Sequence, residues 1–78
     1  MRANMPSRAE YMQRLGERIR SAREAAGMTQ VDLARVSGID NSSLSHYESG
    51  RRMPCPLTLS IIVRSLDVSA KHMLGLDA

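Results

Sequence analysis

Between positions 40 and 52 the chain reads DNSSLSHYESGRR, a run dense in hydrogen-bonding side chains. Wound into a helix, this run turns Leu44, Tyr47 and Glu48 to one face and leaves Asn41, Ser42, Ser45, His46 and Ser49 projecting from the other. An amide, hydroxyls and an imidazole so arranged can donate to and accept from a polar surface. Covalent chemistry is a poor fit. Cys55 has no His near it in sequence, His46 and His72 lack the carboxylate or Cys spacing of a metal site, and no Gly-rich loop is present to cradle a phosphate. These residues predict a binding face rather than an enzyme, with no metal and no cofactor.

The elements that must position this face are helical, because no stretch alternates apolar and polar residues as a half-buried strand does. Ser7 to Glu10 reads S-x-x-E, a capping box that starts a first helix near Arg8. Met12, Leu15, Ile19 and Ala22 form its apolar stripe and Gly27 its stop. Thr29 with Asp32 caps a second, short helix whose expected buried residues are Leu33, Ala34 and Val36, ending at Gly38. Ile39 lies in the turn, Asp40 is the N-cap of the third helix, and Gly50 ends it. Pro56 suits the first position of a fourth helix, where its missing amide costs nothing. Leu59, Ile62, Val63 and Leu66 make that helix's inward face, and Cys55 is expected at its N-terminal boundary as a small, partly buried residue. Ser69 caps a last turn or two, stopped by Gly75.

A chain of 78 residues can build one modest core. The single Cys55 excludes an intramolecular disulfide, which leaves self-association as the expected way to add to that core. No run approaches the ~18 apolar residues of a membrane span, and the opening residues lack a secretory signal's apolar stretch, so a cytoplasmic protein is expected. Eleven Lys and Arg against eight Asp and Glu give a net charge of +3, which favours a polyanionic partner. The excess is uneven. Residues 30–50 carry Arg35 against Asp32, Asp40 and Glu48, so if that segment meets a polyanion it must do so through polar groups, with its flanks supplying the charge attraction.

Two short helices joined by Gly38-Ile39-Asp40 fit a helix-turn-helix, whose second helix can enter a DNA major groove. On spacing alone this stands only somewhat ahead of a generic helical bundle. The run Thr29-Gln30, Leu33-Ala34, Gly38-Ile39, Leu44-Ser45, Tyr47-Glu48, Ser49-Gly50-Arg51-Arg52 and Pro54 resembles the helix-turn-helix domain of phage repressor and Cro type (XRE-like) regulators. The resemblance continues upstream through Leu15-Gly16, Ile19-Arg20 and Arg23, and downstream through Leu59, Ile62, Leu66, Val68 and Leu74. It implies an all-α, five-helix, lambda-repressor-like domain over residues 8–78, preceded by a flexible basic arm at 1–7, with residues 40–49 as recognition helix.

That resemblance implies a function for each outward residue. Asn41, Ser42, Ser45 and His46 are expected to contact bases, Asn41 being able to pair bidentately with adenine. Gln30, Ser43, Ser49, Arg51 and Arg52 are expected to contact phosphates, Gln30 from the start of the second helix, where it is also expected to support the recognition helix. Asp40 could accept from a cytosine amino group, but capping is favoured over base contact, since a carboxylate near phosphates is repulsive. Arg2 and Arg8 are equally consistent with a DNA-reaching arm and with a solvated terminus. The family pairs the positions of Arg23 and Glu48 in a partly buried ion pair; losing Glu48 from a buried pair would cost about 3 to 5 kcal/mol, and from an exposed one under ~1 kcal/mol.

Leu57 and Ile61 fall partly outside the inward face of the fourth helix, and with Met73 and Leu76 they form the expected seam of a two-fold homodimer. Such a dimer would place two recognition helices about 34 Å apart on an inverted-repeat operator in double-stranded DNA. The alternative is an antitoxin-like or other protein-interaction module that binds DNA secondarily. With Tyr11 and Tyr47 as the only aromatics, a stacking platform for single strands is disfavoured. Neither a membrane partner nor a small-molecule ligand is expected.

Overall fold

A computed structural model describes residues 5–76; Arg2, Asp77 and Ala78 lie outside them. Five helices make up the secondary structure of those residues: α1 (Arg8–Ala25), α2 (Gln30–Ser37), α3 (Asn41–Glu48), α4 (Pro56–Leu66) and α5 (Ala70–Met73).

Each helix begins where a side chain can satisfy its first free amides. Ser7 and Glu10 form a reciprocal capping box on α1, and Thr29 and Asp32 form another on α2. Asp40 caps α3, and Ser69 caps α5. The α4 cap is the Cys55 sulfur, which accepts from the Thr58 amide at 3.5 Å, with Pro56 following at the first helical position. Cys55 is exposed rather than partly buried, because its thiol is turned back along the helix surface toward Thr58; the neighbouring Pro54 is the buried residue.

α1 is the backbone of the packing: α3, α4 and α5 all lie against it, and α2 bridges α3 and α4. Leu15, Ile19, Leu33, Leu44, Tyr47, Ile62, Val63, Leu66 and Met73 fill the core between them, flanked by Ala22, Met28, Ala34, Ile39, Leu59 and Val68. Val36 is 56% exposed and not part of this core. At 100° per residue it falls one turn beyond Asp32, away from the Leu33 and Ala34 side that meets α3 and α4. Met73 is completely buried, which removes it from the expected dimer seam. α5 contacts both α1 and α4, and the unbranched thioether of Met73 fills the space where they meet.

Candidate functional site

α3 is held from beneath by three different devices. Leu44 and Tyr47 bury an apolar edge. Gly16 of α1 lets the two helices touch backbone to backbone: a Cβ there would collide with the Tyr47 carbonyl oxygen and stand 2.6 Å from that of Glu48. Glu48 closes the junction, accepting from Arg23 Nε at 2.7 Å and Nη2 at 3.0 Å, while Arg23 Nη1 donates to the Met28 carbonyl at 2.8 Å. The two side chains of this forked pair are only 10% and 3% exposed. The Glu48 hydrogen bonds, opposed by desolvation, raise the Arg23 pKa above its ordinary value, so the guanidinium stays charged. Gln30 Nε2 donates to the same carboxylate at 3.1 Å, tying the start of α2 to the end of α3.

Above this support the outer face of α3 is polar. Asn41, Ser42, Ser45 and Ser49 are exposed, and Ser43 and His46 are half-buried at its edge. Asp40 accepts from the Ser43 amide at 3.3 Å and from the Ser42 hydroxyl at 2.9 Å. Hydrogen bonds from Ser43 first and Ser42 second hold its carboxyl below the usual carboxylate range, so it remains an anion at the positive end of α3. Ser42 therefore presents a hydroxyl whose proton is already directed at Asp40. Asn41 has no such internal partner among the described residues. Ser49 donates to the His46 carbonyl at 3.2 Å.

The expected phosphate-contacting residues separate into two groups. On one edge of α3, Arg52 Nη1 donates to the Ser43 hydroxyl at 3.2 Å, which brings this arginine from the following turn back beside the first turn of the helix; Arg51 is exposed next to it. Along the opposite edge runs a shallow cleft of about 240 Å³ lined by Arg20, Arg23, Gln30, Ser45, Glu48 and Ser49. Arg20 carries part of the family resemblance but was assigned no role from the sequence. Its spacing of four from Gly16 and three to Arg23, the two α1 residues at the α3 contact, was the available signal.

Leu57 is 70% exposed and Leu76 65%, and Ile61 is half-buried, so the expected seam keeps three of its four residues at or near the surface. Arg8 is exposed at the start of α1. Among the described residues no group of His, Cys, Asp or Glu could hold a metal ion, and no helix is long and apolar enough to cross a membrane.

A helix-turn-helix (HTH_3) family model matches residues 19–72. The chain is 40% identical over 63 residues to the HTH-type transcriptional regulator ImmR of Bacillus subtilis, a match covering 81% of this chain and 50% of that protein. It is 35% identical over 63 residues to the antitoxin PezA of Streptococcus pneumoniae, covering 81% of this chain and 40% of that one. This chain thus spans half or less of these curated relatives. Its fold superimposes with a TM-score of 0.75 and 29% identity on the restriction-modification controller protein C.Esp1396I, solved as a tetramer with its natural 35-base-pair operator, over 85% of this chain and 87% of that one.

Proposed function

The chain belongs to the helix-turn-helix family of transcriptional regulators, a class without enzymatic activity, and from that premise we propose that it is a sequence-specific reader of double-stranded DNA that works as a homodimer in the cytoplasm. The observation that carries the reading is the close, buried seating of α3. Its outer face offers Asn41, Ser42 and Ser45 to base edges, while Gly16 and the buried Arg23–Glu48 pair lock its inner face to α1. In the proposed complex Asn41 and Ser42 at the N-terminal end read bases, Ser45 and His46 extend the readout, and Gln30, Ser43, Ser49, Arg51 and Arg52 position the protein on phosphates.

Support for a dimer comes from Leu57 and Leu76, large apolar side chains left in solvent by an otherwise filled core, and from the half-buried Ile61 one turn beyond Leu57 on α4. Two copies joined there would read an inverted repeat. A second reading, a protein-interaction module that binds DNA secondarily, is favoured by the likeness to PezA and by the same apolar surface.

Selection of sites from a random double-stranded DNA pool tests the proposal. An enriched inverted repeat whose binding is lost in the Asn41→Ala, Ser42→Ala double variant is expected. Binding that depends on salt but is blind to sequence would sink the assignment of α3 and turn attention to a protein partner for the Leu57 surface.

A further inference from the structure

We propose that the cleft between α1, α2 and α3 seats one backbone phosphate of DNA, with Arg20 as its anchoring cation and Glu24 as the internal partner that holds Arg20 when DNA is absent. This rests on the DNA-reading function above and adds to it a residue and a competing ion pair.

The cleft brings groups from three helices together: the Arg20 guanidinium from α1, the Gln30 amide from α2, and the Ser45 and Ser49 hydroxyls from α3. Its floor is the Arg23–Glu48 pair, whose charges cancel, so Arg20 sets the sign of the rim. Arg20 is held through Nε by Glu24 Oε2 at 3.3 Å, one helical turn on, and both side chains of that pair are more than half exposed. Its terminal guanidinium nitrogens make no other hydrogen bond among the described residues. An exposed pair of this kind is weak and salt-screened, so a phosphate can take over the guanidinium.

Position supports the same role. Ser43 and Ser45 are two residues apart on α3 and so point to nearly opposite edges of it. Arg52, bonded to Ser43, flanks one edge; Arg20, beside Ser45, flanks the other. A helix lying in a major groove runs between two phosphate backbones, and this arrangement supplies an arginine to each.

Salt titrations of the full chain on a labelled duplex carrying the best enriched site, and on a scrambled duplex of equal length, test the proposal. Arg20→Ala should reduce the slope of log affinity against log salt by about 0.9 and weaken binding about eightfold at 0.1 M salt, with little change in the preference for the selected site. Arg20→Lys should keep the slope. Glu24→Gln should strengthen binding by roughly two- to fivefold, the size of breaking an exposed ion pair, and this gain should vanish when Arg20→Ala is also present. An unchanged slope in Arg20→Ala, or a Glu24→Gln gain that persists without Arg20, overturns the assignment while leaving the DNA-reading function intact. Wild-type protein that binds neither duplex overturns both.

Discussion

Glu48 is the residue on which most of the site converges. Its carboxylate accepts three hydrogen bonds, two from Arg23 on α1 and one from Gln30 on α2, at a position almost without solvent. Removing it would strand a buried guanidinium, which is far more costly than losing a surface pair. Glu48→Ala is therefore expected to destabilise the fold by about 3 to 5 kcal/mol, seen as a lower urea midpoint. A shift under ~1 kcal/mol would show that water reaches Arg23 and that the pair is not structural. Most of this arrangement was legible from the sequence, since the resemblance paired Arg23 with Glu48 and gave Gln30 a supporting role beneath the recognition helix; that Gln30 does so by bonding Glu48 was not legible, because it needs the turn of α2 toward the end of α3.

At the scale of elements, caps and close approaches set where helices start and how near they come. Glu10, Asp32 and Asp40 all have carboxyl pKa values lowered in the folded chain, chiefly by hydrogen bonds from Ser7, Thr29 and Ser43 respectively. Their contribution is complete above the ordinary values of 4.5 for Glu and 3.8 for Asp, and it is lost as pH falls through the lowered folded values. Thermal melting should thus be insensitive to these groups between pH 7 and about 5 and fall below that; the Glu10→Gln, Asp32→Asn, Asp40→Asn variant should fall less steeply. An equally steep decline in that variant would assign acid sensitivity to other groups. Gly16 and Gly27 make a second comparison. Alanine at Gly16 meets backbone carbonyls of α3 and is expected to cost about 1 to 3 kcal/mol or more and to shift α3. Alanine at Gly27 meets nothing within 4 Å, but φ of +73° imposes about 1 to 2 kcal/mol of backbone strain. Only Gly16→Ala should also impair DNA binding at a temperature where both variants remain folded, and equal loss in the two would mean that α3 does not depend on its approach to α1.

For the whole molecule the question is which apolar groups close the core and which are left for a partner. Met73 is buried and closes the core; Leu57 is exposed, and the proposed dimer assigns it to the second set. Met73→Ala should lower monomer stability by about 2 to 5 kcal/mol. Leu57→Asp should leave helix content and melting of the subunit nearly unchanged while converting the proposed dimer to a monomer in sedimentation. A Leu57→Asp protein that sediments as wild type would move the dimer contact elsewhere.

The order of the five helices, their caps and the inward stripes of α1, α3 and α4 were determined by the sequence itself, because each depends on groups three or four positions apart whose geometry is the same in any α-helix. Ser7, Thr29, Asp40, Pro56 and Ser69 mark helix starts by local hydrogen bonding or a preset φ, whatever the helices later pack against. Tertiary structure alone decided that Val36 faces solvent, that Met73 fills the core, that Arg52 returns to Ser43, and that Arg20 borders a cleft with Gln30 and Ser45. Those outcomes turn on how helices distant in sequence cross, and the crossing is set by which surfaces fill the shared core without voids, a property of all five helices at once.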